Sequence, residues 1–293
     1  MRIFLTGATG FIGGHALRLL LARGHNVTCL VRPGNNAASL PAHPALRLVH
    51  GEWTAPTTWL AHVPGHGAVV NAVGIIRETP RASFAAVHTA APLALFVAAT
   101  RAGVGRIVQV SALGADEGAA SRYHRSKRAA DRGLVALGVP HIVLRPSLVY
   151  GPGDHSMAFF ARLAALPLTP VPGDGHYRVQ PIHVADLARA IALAVEAPTP
   201  LAATLDAGGG EALTFDQLLD TLARRRGKSA ARKVHLPWPL MRLVARATDL
   251  LGRGPITSEE LGMLRRGNHA DIAPFVAAFG FTPMTFREGI GQG

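Results

Sequence analysis

Short apolar runs alternate with amphipathic segments from the first residue to about residue 150. The apolar runs have the length of buried strands, and between them apolar residues recur at helical spacing. Nearly continuous apolar strands separated by helices indicate a parallel sheet that is covered on both faces. After the opening residues, we predict strands at 25–32, 46–51, 67–74, 105–115 and 141–154.

The alternation weakens after residue 151. A short helix and a loop rich in proline and glycine come first, one strand and helix return at 177–196, and helices with breaks fill the rest. We therefore predict an α/β fold, a Rossmann-type doubly wound parallel sheet with a smaller, mostly helical C-terminal substrate region. The sheet domain would span 1–151 and be completed by 179–207, and the substrate-binding helical region would comprise 152–178 and 208–293.

The opening stretch, MRIFLTGATGFIGGHALRLLLARG, is compatible with two structures. One basic residue before an apolar, small-residue run resembles a secretory signal peptide, but such a peptide needs an uninterrupted apolar segment. Here Thr6, Gly7, Thr9 and Gly10 interrupt the run, and a β-rich segment follows the helical one. We therefore predict a strand, a glycine turn and a helix.

Glycines 7, 10 and 13 lie between this strand and helix. Glycine permits a tight turn and a close approach of backbone N–H groups to a pyrophosphate, and the helix N-terminus adds partial positive charge. This context favours a dinucleotide site over a simple glycine-rich turn. The second strand ends at Arg32. At this position NAD sites carry an Asp or Glu, whereas an arginine accommodates the 2′-phosphate of NADP. We expect NADP(H) as the cofactor, with NAD(H) as the alternative.

The composition argues against several classes of protein and of binding site. Apolar residues make up 48% of the 293 residues, which argues against a disordered chain. The net charge of +12 is carried almost entirely by arginine, yet no aromatic-interleaved basic stretch or zinc-finger spacing accompanies it, so we expect no nucleic-acid partner. Cys29 is the only cysteine, and Asp154, His155, Asp174 and His176 fit no familiar ligand spacing. We expect no metal.

The apolar segments indicate where in the cell we expect the protein to lie. No apolar run reaches the ~18 residues of a spanning helix, and we expect a soluble, cytoplasmic protein. The stretch 236–254, LPWPLMRLVARATDLLGRG, interleaves apolar residues with arginines. This pattern is typical of a basic amphipathic helix on a membrane or partner. It is also typical of a helix that buries one face over the substrate pocket, which we favour because most amphipathic helices face a core.

A serine, a tyrosine and a lysine form the candidate catalytic set. Tyr123 and Lys127 are four residues apart on a predicted helix and share one face, and Ser111 follows the fifth strand. A nearby ammonium favours phenolate, so we expect it to lower the pKa of Tyr123 from about 10. Tyr123 would then act as general acid/base, Lys127 would hold the nicotinamide ribose, and Ser111 would orient a substrate carbonyl or alcohol.

Several motifs carry a resemblance to a known family. Four motifs, with Ser111 upstream of the second, resemble the extended and atypical branches of the short-chain dehydrogenase/reductase superfamily. They are TGATGFIG, YHRSK, LRPSLVYGPGD and VQPIHVADLARAI. More closely, these segments are similar to bacterial relatives of the NADPH-binding accessory subunit of respiratory complex I. The resemblance covers residues 1 to about 210, and the C-terminal helices match only in outline.

The resemblance implies a set of cofactor-binding residues. The pyrophosphate would lie against Gly7, Thr9, Gly10, Phe11, Ile12 and Gly13, with Arg32 near the adenosine phosphate. Ala72, Val73 and Gly74 would line the cofactor, Tyr123 and Lys127 would lie at its nicotinamide end, and Pro146, Ser147 and Val149 would contact the carboxamide. Two positions depart from the family pattern: Glu52-Trp53 replaces a frequent Asp that contacts adenine, and His88 replaces a common Asn.

Two functions remain open at this point. The first is an NADP(H)-dependent oxidoreductase of the short-chain dehydrogenase/reductase type that acts on a small molecule. The alternative is a non-catalytic NAD(P)H-binding accessory or assembly subunit of respiratory complex I, with a quinone-related partner and a peripheral position on the cytoplasmic face of the inner membrane. The intact set of Ser111, Tyr123 and Lys127 favours the first, because binding alone does not require it. The oligomeric state stays open.

Overall fold

The chain was analysed as a computed structural model that describes residues 1–34, 39–154, 156–199, 202–251 and 256–291. His155 and residues 252–254 of the arginine-containing stretch lie outside the described residues. The strands are β1 (Arg2–Thr6), β2 (Asn26–Val31), β3 (Leu46–His50), β4 (Ala68–Asn71), β5 (Arg106–Val110), β6 (His141–Pro146), β7 (Val149–Tyr150), β8 (Thr169–Pro172), β9 (Arg178–Val179), β10 (Ile182–His183), β11 (Ala202–Ala207), β12 (Leu213–Thr214) and β13 (Lys233–Leu236).

Helices connect most of these strands. They are α1 (Phe11–Ala22), α2 (Ala91–Arg101), α3 (Arg122–Ala136), α4 (Ser156–Ala165), α5 (Val184–Glu196), α6 (Phe215–Arg225), α7 (Trp238–Leu251), α8 (Ser258–Arg266), α9 (Ala273–Phe279) and α10 (Phe286–Ile290). A π-helical segment, Ala85–Ala90, runs directly into α2. Two short 3-10 turns, Pro56–Thr58 and Leu60–His62, precede β4.

The described part of the chain contains a seven-stranded sheet in the order β11-β6-β5-β4-β1-β2-β3, and all neighbouring strands are parallel. The predicted doubly wound Rossmann-type sheet is confirmed. The order reverses between β1 and β4, so the connections leave these two strands in opposite directions. In such sheets ligands bind outside the carboxyl ends of the strands at this point.

The sheet is buried because its strands carry apolar residues on both faces. Phe4 and Ile107 point to one face, where they pack with Leu95 of α2 and Leu134 of α3. Successive side chains of a strand point to opposite faces, so Leu5 faces the other side, where α1 packs against α5. Two helix pairs therefore cover the two faces of the sheet.

Contacts divide the chain into two units. The first consists of Met1–Pro146, Val184–Ala207 and Ile272–Phe281 and contains the parallel sheet. The segment Ile272–Phe281 comes after residue 208 in the sequence, but it belongs to the first unit because α9 packs against β11 and α5. Arg189 of α5 lies over the ring of Phe281, 4.2 Å from its centroid, and favours this packing by a cation–π contact.

The second unit consists of Ser147–His183, Gly208–Asp271 and Thr282–Gly293. Its strands form three two-stranded sheets, β7–β10, β8–β13 and β9–β12, in the described residues. Its main apolar cluster is built on α6, whose Leu218, Leu219 and Leu222 are buried with Phe286 and Val171. Among the helices that the structure describes, none combines the length and the apolar character needed to cross a membrane.

Candidate functional site

A cavity of 190 Å³ opens at the carboxyl ends of β1, β2 and β4, where the strand order reverses. Seven of the residues proposed from the sequence line it: Gly7, Thr9, Gly10, Arg32, Ala72, Val73 and Gly74. The other lining residues had no assigned cofactor role in the motif analysis, and they include Arg81, Glu52 and Trp53. The fold therefore brings the glycine turn and the end of β4 to one place, with Arg32 at the end of β2.

The glycine turn has a shape that larger residues do not fit. Gly7 has φ +82°, and a Cβ there would lie 2.6 Å from the backbone carbon of Ala72. A Cβ on Gly13 would collide with the backbone oxygen of Gly7, and Gly10 donates its N–H to that oxygen at 2.9 Å. The turn thus packs backbone against backbone and presents α1 with an N-cap that has no side chain. This arrangement fits a dinucleotide diphosphate, which needs close N–H donors.

Phe11, Ile12 and Gly13 form the first turn of α1, directly after this N-cap. Phe11 packs edge-on against His15, with ring centroids 5.5 Å apart. The first-turn N–H groups of a helix have no partner within the helix, so they are the donors available to an anion at this end. Gly13 is also buried because the helix passes close to the turn.

A buried polar network lies beneath the cavity. Thr6 donates to the Oδ1 atom of Asn71 at 2.7 Å, and the Nδ2 atom of Asn71 donates to Gln109 at 2.7 Å. The same Oδ1 atom accepts the N–H of Val73 at 3.2 Å. These bonds connect the ends of β1, β4 and β5 and fix the backbone of the cavity wall. Thr6, Asn71 and Gln109 are polar residues in otherwise apolar strands, and this is the sequence signal that could have indicated the network.

Lys127 lies beside the cavity wall. It is buried on α3, and its Nζ atom donates to the backbone oxygens of Val73 at 3.2 Å and Val110 at 3.1 Å. A Cβ on Gly74 would lie 3.2 Å from this Nζ atom. Ser121 is the N-cap of the helix that carries it, and the Ser121 side chain accepts the N–H of His124. The structure therefore brings the ammonium of Lys127 to the end of β4.

Tyr123 lies one helical turn before Lys127, but its pKa moves in the direction opposite to our expectation. Its ring packs edge-on against Phe84, His88 and His124, with centroids 5.2–5.8 Å apart. This packing removes water, and burial raises the pKa of Tyr123 to about 12, with a further rise from the charge of Asp131. Burial also lowers the pKa of Lys127 to about 8, against the opposing effect of Asp131. Desolvation outweighs the attraction that we expected between phenolate and ammonium.

Ser111 is bound to a residue that the motif analysis did not include. Its hydroxyl donates to the Oδ2 atom of Asp131 at 2.6 Å, and Arg145 forms an ion pair with the same oxygen at 3.4 Å. Asp131 is four residues after Lys127 on α3 and is fully buried. Burial raises its pKa, while the Ser111 hydrogen bond and the charges of Arg145 and Lys127 lower it. The Ser111 hydroxyl is thus hydrogen-bonded to a buried carboxylate, and its role toward a substrate stays a prediction.

His88 has a defined tautomer because of its two hydrogen bonds. Its Nε2 atom accepts the N–H of Ile75 at 2.9 Å, so the proton is on Nδ1, which lies 3.0 Å from the hydroxyl of Ser126. Ser126 in turn donates to the backbone oxygen of Tyr123 at 2.7 Å. Burial, with a smaller effect of the Lys127 charge, lowers the pKa of His88 to about 3. The π-helical segment that carries His88 is a feature frequent at functional sites.

The remaining predicted residues fall on both units. Pro146 ends β6 in the first unit, and its oxygen accepts the N–H of Leu113 at 2.8 Å. Ser147 and Val149 belong to the second unit, where Ser147 donates to the backbone oxygen of Gln180 and Val149 pairs with Ile182. At Glu52-Trp53, Trp53 stacks on Trp59 at 5.4 Å and donates to Val87, while Glu52 is exposed.

Comparison with known families decides the class of this protein. The model of the NAD dependent epimerase/dehydratase family matches residues 3–204. The chain belongs to this family. Its members are extended short-chain dehydrogenases/reductases, so the resemblance seen in the motifs is confirmed. Membership makes the chain an NAD(P)-binding protein of the reductase, epimerase and dehydratase type.

Family relatives include enzymes and a respiratory subunit. The chain is 30% identical over 243 residues to a ceramide reductase of Caulobacter vibrioides, covering 81% of this chain and 74% of the relative. It is 29% identical over 260 residues to the mitochondrial NADH dehydrogenase [ubiquinone] 1 alpha subcomplex subunit 9 of Arabidopsis thaliana. That match covers 84% of this chain but only 62% of the plant subunit.

A solved structure extends the family likeness to the fold. MoeE5 in complex with UDP-glucuronic acid and NAD superposes with a TM-score of 0.74 and 25% identity. The match covers 99% of this chain and 97% of MoeE5. The fold of this chain therefore has a counterpart in a protein that was solved with NAD.

Gly7→Ala tests the close approach at the turn. We expect the free energy of unfolding to fall by about 2–5 kcal/mol, because left-handed strain and a clash with the backbone of Ala72 combine. Gly24→Ala is the matched control, since Gly24 has φ +78° but no atom lies within 4 Å of the position that a Cβ would take there. It should lose only about 1–3 kcal/mol in chemical denaturation, from strain alone. Equal losses in the two variants would show that the approach to Ala72 is unimportant.

His88→Gln tests the neutral histidine, since glutamine can keep an acceptor for Ile75. The folded protein holds His88 neutral down to about pH 3, whereas the unfolded chain binds this proton near pH 6.5. Protons therefore favour unfolding in this window, and stability falls as the pH falls. Between pH 7 and 5 we expect His88 to account for a loss of about 2 kcal/mol.

Denaturant unfolding at both pH values measures this loss. Between pH 7 and 5, the free energy of unfolding should fall by about 2 kcal/mol less in His88→Gln than in the wild type. His43→Asn, a change at an exposed histidine, should leave the wild-type pH dependence in place. The same pH dependence in His88→Gln and the wild type would contradict a buried neutral ring.

Proposed function

We propose that the protein is an NADP(H)-dependent oxidoreductase that reduces a carbonyl group of a small molecule, with Tyr123 as the proton donor. The observation that carries this proposal is the position of Lys127, which lies one turn from Tyr123 and contacts the cavity wall at Val73 and Gly74. Gly7, Gly10 and Gly74 line the cavity, and a Cβ at Gly7 or Gly13 would collide with backbone atoms of the turn or of Ala72. When bound there, NADPH supplies a hydride.

The protonation states of the site favour reduction. A phenol whose pKa is about 12 keeps its proton at neutral pH and can give it to an alkoxide that forms on the substrate. Lys127, with a pKa of about 8, holds a positive charge at neutral pH and stabilises the phenolate that remains. Asp131 opposes that phenolate, so it keeps Tyr123 in the acid form between turnovers.

The preference for NADP(H) rests on charge at the cavity. Arg32 follows β2, and Arg81 lines the same cavity from the loop before the π-helical segment. Two guanidinium groups suit the 2′-phosphate that distinguishes NADP from NAD. Glu52 also lines the cavity and opposes this preference, so two positive groups compete with one negative group for the adenosine end.

Relatives support a carbonyl substrate. The ceramide reductase named above is one such relative, and a 2-alkyl-3-oxoalkanoate reductase of Stenotrophomonas maltophilia is another, at 28% identity over 99% of this chain. The first name describes reduction of a ceramide, and the second describes reduction of an alkyl-substituted 3-oxoalkanoate. We propose an alkyl ketone or 3-oxo compound as the substrate class.

A second candidate function is an NAD(P)H-binding accessory or assembly subunit of respiratory complex I. The similarity to the plant subunit over 260 residues favours it. So does the bond of Ser111 to Asp131, because it leaves this hydroxyl committed to the protein interior. In this case a quinone-related or subunit partner would replace the substrate, and the protein would lie in the cytoplasm at the inner face of the membrane.

Tyr123→Phe separates the two candidates. With NADPH and a panel of medium-chain ketones and 3-oxo esters, we expect turnover to fall about 10²–10⁴-fold, because the proton donor is lost. NADPH affinity should stay nearly unchanged. Tyr177→Phe removes a phenol from the second unit and should keep wild-type turnover. Full activity of Tyr123→Phe would remove the phenol from the mechanism. Tight NADPH binding without turnover on any member of the panel would favour the accessory subunit.

Arg32→Ala tests the cofactor preference. We expect the dissociation constant of NADPH to rise about tenfold, as the loss of one charge-assisted contact predicts, while that of NADH changes little. Arg101→Ala removes an exposed arginine at the end of α2 and is the charge-matched control. Isothermal titration with both nucleotides gives the ratio. An equal weakening of NADPH and NADH binding would assign Arg32 to the diphosphate or to folding instead.

A further inference from the structure

Large apolar side chains are exposed mainly in the second unit. Of the described residues, Phe159, Leu166, Leu168, Val234, Leu240, Leu243, Val244, Leu250 and Leu251 are exposed there, against Met1, Ile76 and Val135 in the first unit. More than half of this second-unit set belongs to a single helix, α7. Contiguous exposed apolar surface of this kind marks an interaction site more often than scattered residues do.

Helix α7 has two apolar faces. Met241 and Ala245 are buried with Leu261 of α8, so one face packs within the second unit. The helix thus buries one face against α8, while the expected position of that face over the substrate pocket stays a prediction. The other face points to solvent, with exposed fractions of 46% for Leu240, 65% for Leu243, 87% for Leu250 and 73% for Leu251. The packing of α7 on its own unit therefore leaves its second apolar face uncovered.

The exposed residues form a continuous stripe. At about 100° per residue, Leu240, Leu243, Val244, Ala247, Leu250 and Leu251 fall within an arc of about 120° on the helix surface. The buried Thr248, Met241 and Ala245 lie about 40°, 60° and 100° beyond the edge of this arc at Val244. We call the exposed arc the α7 stripe. It contains only aliphatic side chains.

Positive charge borders the α7 stripe. Arg246 and Arg242 are exposed and lie about 40° and 80° beyond one edge of the arc. Between Asp220 and Asp249 the chain carries eight Lys or Arg residues and no Asp or Glu. Lys233 of this segment pairs with Asp220 and Asp216. The other seven basic residues outnumber the acidic ones, so the segment keeps a net positive charge, which complements an anionic surface.

We propose that the α7 stripe docks the protein on the surface of an anionic lipid bilayer. A helix in the bilayer interface has this combination, with aliphatic residues in the acyl region and arginines at the headgroups. A protein partner is less well matched, because the cores of protein interfaces are enriched in aromatic residues and Met, which the stripe lacks. At 14 residues α7 is about 21 Å long, too short for a ~30 Å hydrocarbon core, so it lies on the bilayer rather than across it.

Vesicle co-sedimentation of the full chain tests this docking. We expect binding to phosphatidylcholine vesicles that contain phosphatidylglycerol, weak binding without it, and weaker binding as salt rises from about 0.1 M to 1 M. Leu243→Gln with Leu250→Gln should lower the partition coefficient at least tenfold, since two aliphatic chains leave the acyl region. Ile76→Gln with Val135→Gln changes two exposed apolar residues of the first unit and should leave it unchanged.

A charge-matched pair tests the arginines separately. Arg242→Gln with Arg246→Gln should weaken binding to the anionic vesicles about tenfold or more at low salt, because each basic residue contributes about 1 kcal/mol near such a surface. Arg101→Gln with Arg132→Gln removes two exposed arginines of the first unit and should have little effect. Equal effects of the two pairs would show that only total charge matters and would overturn the assignment to α7.

A fluorescent probe shows directly whether the helix enters the interface. Cys29 is buried, so a polarity-sensitive dye can be attached selectively to Leu250→Cys, with Val135→Cys as the control site. We expect a blue shift on anionic vesicles at position 250 only. Failure to bind anionic vesicles at low salt would overturn the proposal. So would a concentration-dependent dimer that the Leu243 and Leu250 changes abolish, because a second copy would then cover the stripe. The outcome is independent of NADPH turnover and does not test the proposed function.

Discussion

The site depends on the backbone contact between the turn after β1 and the start of the loop after β4. Gly7 has a left-handed φ, and the backbone of Ala72 lies where a Cβ would be, so the conformation and the contact each require glycine. This contact joins two strands at the point where the sheet reverses its strand order. It also places the N-terminus of α1 beside the loop that carries Gly74. Without that approach, the helix dipole and the cavity wall would not converge on one ligand.

Burial controls the charges next to this contact. Lys127, Asp131 and Arg145 lie in the interior of the first unit, where removal of water raises the pKa of a carboxyl group and lowers that of an ammonium. Mutual attraction opposes both shifts. For the phenol of Tyr123, burial is the larger cause of the raised pKa and the charge of Asp131 adds to it. The phenol of Tyr123 therefore keeps its proton, and the amine of Lys127 carries a positive charge that it loses more readily than an ordinary lysine does. This combination is suited to proton donation.

Much of the fold was predictable because periodicity and the glycine turn are local signals. The order of apolar runs indicated the parallel sheet, and the spacing of residues 7, 10 and 13 indicated the turn. The capture of Ser111 by Asp131 was not predictable, since it depends on a contact 20 residues apart. Likewise the π-helical geometry around His88 and the second face of α7 follow from tertiary packing, which the helical pattern alone does not show.

Hydrogen–deuterium exchange with and without NADPH is the most direct test of the central claim. The account predicts that saturating NADPH slows exchange at the amides of residues 9–13 and 72–74, because the diphosphate and the nicotinamide half cover these backbone groups. Exchange along α7 should stay unchanged. Slowed exchange elsewhere with none at the glycine turn, or no change with either NADPH or NADH, would contradict a dinucleotide bound at the reversal point of the sheet.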